Sequence, residues 1–521
     1  MKMRKKRVDF IAFAGEVCNS DSSSPAYMEE VWHKAKELQM NTLLLPVSWE
    51  LVEPEEGIFD FSIPDALLEQ ARAQEMKIVF LWFGSWKNAQ CYYAPGWVKR
   101  DTIRFPRAQV KKGENKIYLE NLHGMPYTSL SCFGEETKKA DARAFAEFMR
   151  HLKIRDEEEK TVIMVQVENE TGVQGAAREH SDLADEIFAG NVPEEFADYM
   201  RDCTGEMAED VRRCVEAGKK GHTWSETFGD VAEEIFSAYH IASFVNTVAA
   251  AGKEVYDIPM SVNCWLDKKE KAGMYPSGGP VARMMEVWKY AAPAIDVFCP
   301  DIYVPDFCGV CDEYGKMGNP LFVPETATHS HAGPRLVYAV GHYHAWGYSP
   351  FAFEHMGQPF NASQSFLFGV DVNDPLLSVP QNVEEYAWYN RTLSSMMPLL
   401  TERYDTDRLQ AVISERPEEN VMHFDDFGFQ ADLNPVTVRR KDSVCLVLQE
   451  SGDTFYILMN ACMLIPFSRC PEKKNVDILL LEEGEFTSEG WIAGRRLNGD
   501  EAARLISEEP VLWRIKLLMY E

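Results

Sequence analysis

Short apolar runs alternate with longer stretches of helical spacing through about the first 400 residues of the chain. The runs are Phe10 to Gly15, Thr42 to Val47, Ile78 to Phe83, Val162 to Val167, Met260 to Trp265, Ile295 to Pro300, Leu321 to Val323 and Pro350 to Phe353. Most are consecutive Val, Ile, Leu and Phe without polar alternation, the pattern of parallel strands covered on both faces. Between the first two, Ser24-Pro25 offers an N-cap followed by proline at the first helical position. Met28, Val31, Trp32, Ala35 and Leu38 then repeat at three- and four-residue spacing. Amphipathic stretches at Pro64 to Gln74, Lys139 to Leu152, Ala232 to Ala249, Arg283 to Ala291, Leu336 to His344 and Val383 to Leu400 predict further helices. This βα rhythm predicts an α/β fold, a (β/α)8 TIM barrel over 1–400, with long insertions at about 84–136 and 171–230.

From about Thr401 the texture changes. Runs such as Val444 to Gln449, Thr454 to Met459 and Val476 to Leu481 are punctuated by Gly, Asn, Asp and Pro, which predicts a smaller all-β sandwich domain over 405–521. Such a domain offers a surface for a homo-oligomer, although nothing in the residues states the oligomeric order.

Composition narrows the function classes. The 521 residues are 45% hydrophobic and 26% charged, the balance of a globular protein with ample core. Lys plus Arg number 53 against 82 acidic residues, a net charge of −29. A surface this acidic repels phosphate backbones and anionic lipid, so neither nucleic acid nor membrane is an expected partner. The opening MKMRKKR and the apolar run after it imitate a signal peptide, but Asp9 interrupts the run and Gly15-Glu16 stands where a cleavage site belongs. A first buried strand is the expectation. The 12 cysteines are scattered, several within apolar runs (Cys264, Cys299, Cys445), which predicts reduced thiols, no disulfide framework and a cytoplasmic location. The sequons at Asn169, Asn361 and Asn390 then carry no weight.

In a barrel the active site lies at the C-terminal ends of the strands. Two runs end in acids: Val162 to Val167 is followed by Glu168-Asn169-Glu170, and Leu321-Phe322-Val323-Pro324 by Glu325. These close the fourth and seventh strands, and two facing carboxylates are the minimum machinery of glycoside hydrolysis. Trp49, Trp82, Trp86, Trp265 and Tyr303, also at strand ends, are candidates for the apolar platform of a pyranose ring, though tryptophan is as often plain core. Tyr303 is placed to donate a hydrogen bond to Glu325, and Glu354-His355, closing the eighth strand, to meet sugar hydroxyls. Cys308-x-x-Cys311 lacks a second pair at zinc-ribbon spacing, and His329, His331, His342 and His344 read as rim residues, so no metal is expected. No Gly-rich phosphate loop appears, and no cofactor is required.

Several segments resemble glycoside hydrolase family 35, the β-galactosidases of clan A. They are Gly15-Glu16 through Asn19-Ser20, Trp49-Glu50 through Glu53-Pro54 to Gly57-Ile58-Phe59-Asp60-Phe61, Gln166-Val167-Glu168-Asn169-Glu170-Thr171-Gly172, and Val323-Pro324-Glu325-Thr326. The second is similar to family 42 as well; the third looks like family 35. Glu482 to Phe486 and Gly490-Trp491 through Arg495 to Glu501 resemble the sandwich domain of a bacterial branch of that family, and Ala94 to Val98 a rim element. The resemblance implies that Glu170 is the acid/base, Glu325 the nucleophile and Asn169 a partner of the sugar 2-hydroxyl. Glu168 is expected to point into the barrel wall as a structural residue. Asn19, where better known members carry a His-Tyr pair, is a candidate substrate contact, and Thr171 replaces a common aromatic; both departures bear on substrate choice rather than reaction type.

The expected protein is thus a retaining, exo-acting hydrolase removing terminal β-linked galactose from short oligosaccharides. The alternatives are the same machinery on a β-glucoside, β-fucoside or α-arabinoside, or a barrel that binds sugar without turning it over. Against the last stand Glu170 and Glu325, both intact. A metal-dependent barrel hydrolase would need His and Asp at several strand ends, which the sequence lacks.

Overall fold

Nine hydrogen-bonded strands form the barrel sheet of the computed structural model, which describes residues 9–120, 126–203, 207–316, 318–360, 362, 365, 379–438, 442–500 and 505–521. In spatial order they are Phe322–Val323, Gly347–Tyr348, Ala12–Glu16, Thr42–Ser48, Lys77–Lys87, Val162–Asn169, Met260–Cys264, Val297–Ile302 and Glu325–Thr326. The first and last are two pieces of one sequence run, interrupted at Pro324, which has no N–H to give a ladder. The strand order is therefore circular, that of a (β/α)8 barrel. Pairing is parallel, with Phe13 opposite Tyr348, Phe80 opposite Val165 and Val262 opposite Phe298. The opening MKMRKKR, the sequon Asn361 and Glu501 lie outside the described residues.

One strand is not where the apolar pattern puts it. The eighth is Gly347–Tyr348, not Pro350 to Phe353. Gly347 is required there, because a Cβ would lie 2.4 Å from the Phe322 ring. Ala352 takes φ 54°, which ends extended backbone, and Phe353–His355 is a 3-10 turn. Glu354 therefore belongs to that turn and does not close a strand. The stretch Val383 to Leu400 is likewise two helices, Val383–Ser395 and Met397–Glu402, the second carrying Pro398 in its first turn.

The chain divides into two compact units. One comprises Val17–Glu29 and Leu43–Asp301, the other Met1–Glu16, Glu30–Thr42 and Ile302–Glu521. In the first, the stretch after strand Lys77–Lys87 holds a short helix, Gly96–Arg100, and a small antiparallel sheet of Gln109–Lys112, Asn115–Glu120 and Pro126–Tyr127. The later insertion is helical. Its helices Asp182–Ala189, Glu194–Asp202, Glu209–Ala217 and Trp224–Phe228 include an aromatic cluster in which Phe196 meets Trp224, Phe228 and Tyr239.

In the second unit two antiparallel sheets occupy the region of changed texture. Six strands order as Leu409–Ile413, Val444–Gln449, Thr454–Asn460, Val511–Tyr520, Asn475–Thr487 and Gly490–Arg496, and four as Val421–His423, Phe427–Asp432, Cys462–Ser468 and Leu505–Ser507. Alternate residues of each, such as Phe455, Ile457 and Met459, Trp513, Ile515 and Leu517, and Phe427, Phe429 and Ala431, share one core. Helix Ala332–Gly341 packs on the other face of the six-stranded sheet, so closely that a Cβ at Gly341 would lie 2.6 Å from Ala411. Buried Arg335 on that helix forks onto Glu415, with Nε to Oε1 at 2.8 Å and an Nη to Oε2 at 2.9 Å, and His331 Nδ1 lies 3.0 Å from the same carboxylate.

Candidate active site

Strand Val162–Asn169 runs two residues past its apolar segment, so Glu168 and Asn169 belong to it. Its end is strained. Glu168 has φ 62° and Glu170 φ 44°, in a region that costs non-glycine residues about 1–3 kcal/mol each and persists where surroundings impose it. Here they do. The Glu170 N–H donates to Asn263 Oδ1 at 2.9 Å, and Asn263 Nδ2 donates to Asp301 Oδ2, also at 2.9 Å. Asn263 is a buried amide near the end of the fifth strand and Asp301 an acid within the sixth, so both were legible as polar residues in apolar runs and were not singled out. Glu170 itself is 5% exposed.

Between the two glutamates sits Asn169, wholly buried, with neither its Oδ1 nor its Nδ2 meeting a hydrogen-bond partner among the described residues. An unmet buried polar group costs about 1–3 kcal/mol, and a ligand that supplies both a donor and an acceptor recovers it.

Glu168 turns toward helix Glu135–Asp156. Its Oε2 accepts from the Trp86 N–H at 2.7 Å, while its Oε1 meets no partner among the described residues. Burial first, and then the Asp141 carboxylate, push its carboxyl well above the usual range.

In the other unit, Glu325 begins the strand piece after Pro324 and is 6% exposed. The Tyr303 hydroxyl donates to its Oε2 at 2.8 Å. Next to it, Thr326 Oγ1 donates to the carbonyl of Ile302 at 3.0 Å, tying that strand piece to the sixth strand just before Tyr303. Tyr303 is half-buried, with its hydroxyl on Glu325.

Two expected platform residues are core instead. Trp82 is wholly buried, stacked on Phe148 with its indole N–H donating to Asp141 Oδ1 at 2.9 Å, and Trp49 is wholly buried with its N–H on Glu53 Oε2 at 2.8 Å. Trp86 is 3% exposed and packs on Phe244. Trp265 and Glu354 remain half-buried. Asn19 lines a cleft of about 180 Å³ with Ser20, Ser48, Glu50 and Tyr93, and its shielded Oδ1 meets no donor among the described residues.

The remaining candidates are structural. Cys308 and Cys311 lie one turn apart on helix Phe307–Tyr314, both buried, and burial pushes the Cys308 thiol up to about 12. All 12 cysteines are free thiols. His331 serves the Arg335–Glu415 pair, His329 approaches Arg335, His342 stacks on Tyr338, and His344 Nδ1 accepts the Asp405 N–H. The sequon residues Asn169 and Asn390 are buried, the latter donating to the Leu38 carbonyl. Among the described residues no helix is long and apolar enough to cross a membrane.

A family model described as "Domain of unknown function (DUF5597)" matches residues 387–507, from the last barrel helices into the β-strands. No protein of curated function matches the sequence. Among solved structures, a β-galactosidase from Bacillus circulans sp. alkalophilus aligns at 14% identity and TM-score 0.48, over 76% of this chain and 57% of its own. The catalytic domain of a β-amylase from Paenibacillus polymyxa aligns at 11% and 0.47, over 76% of this chain and 99% of its own. An exo-β-1,4-mannosidase from Opitutaceae bacterium strain TAV5 aligns at 14% and 0.42, over 76% and 63%. The chain thus spans under three fifths of the β-galactosidase. Identities this low speak to fold alone, and superpositions this loose leave the barrel resting on its own strand order.

Proposed function

We propose that the protein is a retaining exo-acting glycoside hydrolase that removes terminal β-linked galactose from short oligosaccharides, with Glu325 as nucleophile and Glu170 as acid/base. The observation that carries the reading is the tyrosine hydroxyl donated to a buried strand-end carboxylate, Tyr303 to Glu325 at 2.8 Å. That arrangement holds the carboxyl in one orientation, as a nucleophile needs. In the first step a Glu325 oxygen attacks the anomeric carbon while Glu170 passes its proton to the departing glycosidic oxygen, leaving a glycosyl ester and a free alcohol. In the second, water gives a proton to Glu170 and attacks the same carbon, releasing Glu325 as carboxylate. Asn169, with both polar ends unmet, is suited to hold the 2-hydroxyl. Asn19, Trp265 and Glu354 are proposed substrate contacts, and 405–521 a sandwich domain appended to the catalytic barrel. The choice of galactose rests on the sequence resemblance, and the cytoplasmic location on the scattered free thiols.

Removing each glutamate separately tests the assignment. With an activated aryl galactoside, Glu170→Ala should still form the glycosyl ester, accumulate it, and be rescued by azide with formation of the β-azide. Glu325→Ala cannot form the ester, and azide should give the α-azide by a single displacement. Opposite anomers would mean the roles are exchanged. Wild-type turnover in either variant would remove that glutamate from the mechanism. An aryl-glycoside panel of β-galactoside, β-glucoside, β-fucoside and α-arabinoside decides the sugar.

A further inference from the structure

The ladder between strands Lys77–Lys87 and Val162–Asn169 is interrupted just before the candidate acid/base. Trp82 pairs with Val167 and Lys87 with Asn169, so Phe83, Gly84, Ser85 and Trp86 stand opposite Glu168 alone. A bulge of this kind releases buried backbone N–H groups, which need other partners. Two carboxyls provide them. The Ser85 N–H donates to Asp141 Oδ2 at 2.9 Å and the Trp86 N–H to Glu168 Oε2 at 2.7 Å. Gly84 makes the room, since a Cβ there would lie 2.7 Å from both Asp141 Oδ1 and Glu168 Oε1.

Both acids are wholly buried, and an oxygen of each borders the same point beside Gly84. Two carboxylates held this close and away from water repel each other, so one carries a proton. The surrounding donors decide which. Asp141 collects the Trp82 indole N–H, the Ser85 N–H and the Ser85 hydroxyl, whereas Glu168 accepts the Trp86 N–H on Oε2 and its Oε1 meets no partner among the described residues. The proton therefore belongs on Glu168, whose Oε1 is left to donate it, in agreement with the upward push of burial on that carboxyl.

We propose that Glu168 is a positioning residue for Glu170. As a neutral acid it donates to Asp141 while accepting from Trp86, and this bridge fixes the left-handed backbone from which Glu170 is presented. The role rests on Glu170 being the acid/base, and it is specific in chemistry: the position requires a neutral group that both donates and accepts, not a negative charge.

The full chain is assayed as Glu168→Gln, Glu168→Ala and Glu170→Ala on the aryl glycoside the wild type turns over fastest, with rates referred to the folded fraction. Glutamine donates an amide N–H to Asp141 and accepts from Trp86, so Glu168→Gln should keep kcat and KM within about threefold of wild type. Glu168→Ala should lose kcat on the order of 100-fold, the scale of a misplaced catalytic group, with KM near wild type. A fully active Glu168→Ala beside a crippled Glu170→Ala overturns the positioning role alone. Wild-type turnover in Glu170→Ala overturns the acid/base reading instead. Should Glu168→Ala fail to fold, Glu168→Gln decides: loss of its turnover would mean the position needs a carboxylate, and the proposal falls.

Discussion

Tyr303→Phe deletes one hydroxyl and leaves the ring. The lost bond is 2.8 Å long and ends on Glu325 Oε2. Its worth depends on the charge of its acceptor: about 1.5–3 kcal/mol to a carboxylate and about 0.5–1.5 kcal/mol to a neutral ester oxygen. In the proposed mechanism Glu325 attacks as a carboxylate, becomes a neutral ester, and regains charge as water displaces it. The hydroxyl therefore assists the second displacement, in which Glu325 is the leaving group, by the difference of about 1.4 kcal/mol, or roughly tenfold in rate. For the first displacement it stabilises the starting carboxylate and supplies orientation, and those effects oppose each other. With an activated aryl galactoside, for which the second step limits, Tyr303→Phe should lower kcat about tenfold and lower KM with it, because the ester accumulates. The assay is a rapid-mixing burst of aryl alcohol, with the covalent species read by intact-protein mass spectrometry. A raised KM with unchanged kcat and no added ester would make Tyr303 a substrate platform and refute the reasoning.

An experimental structure with a bound glycoside should place the carboxyls of Glu170 and Glu325 about 5–5.5 Å apart, whereas a separation near 9 Å would point to inversion and sink the retaining mechanism. Turnover should survive EDTA if the two glutamates supply acid, base and nucleophile as proposed; loss on chelation with recovery on zinc would overturn that division of labour. Burial raises the Glu415 carboxyl, but Arg335 and His331 outweigh it and hold it at about 2 against an ordinary 4.5. A carboxyl depressed on folding contributes stability above its unfolded value that is lost as pH falls through the folded one, so about 3 kcal/mol should disappear between roughly pH 4.5 and 2. Urea unfolding of wild type and Glu415→Gln should converge as pH falls through that window; parallel pH curves would mean the pair does not control acid stability. Glu415→Gln itself should cost about 3–5 kcal/mol at neutral pH by leaving Arg335 buried beside a neutral amide.

What the sequence made legible, and what it hid, follows the range of the interactions involved. Most strands could be located because a run such as Val162 to Asn169 buries all but one of its side chains and must be largely apolar. The glutamates stood out for the same reason, as acids where such runs stop. The eighth strand escaped because two residues suffice for it, and Gly347 is set by the Phe322 ring rather than by any local pattern. The indoles misled for a related reason. Trp82 and Trp49 sit at strand ends as platform residues would, but their N–H groups are taken by Asp141, 59 positions away, and Glu53, four positions away, and nothing in the composition of the strand itself reveals either partner.

The end of Val162–Asn169 shows where strand logic itself stops. Side chains alternate with period two, so Glu168 and Glu170 would share a face in a regular strand and Asn169 would oppose them. Positive φ at Glu168 and again at Glu170 removes that rule for the three residues that matter most. Alternation therefore could not have said where Glu168 points; its place against Asp141 and Trp86 comes from the bulge in the neighbouring strand, whose freed N–H groups demanded acceptors. A sequence pattern records the buried environment common to a whole strand, whereas the departures from it are set by a partner strand and a helix, Asp141 on Glu135–Asp156, that pattern reading treats as separate elements.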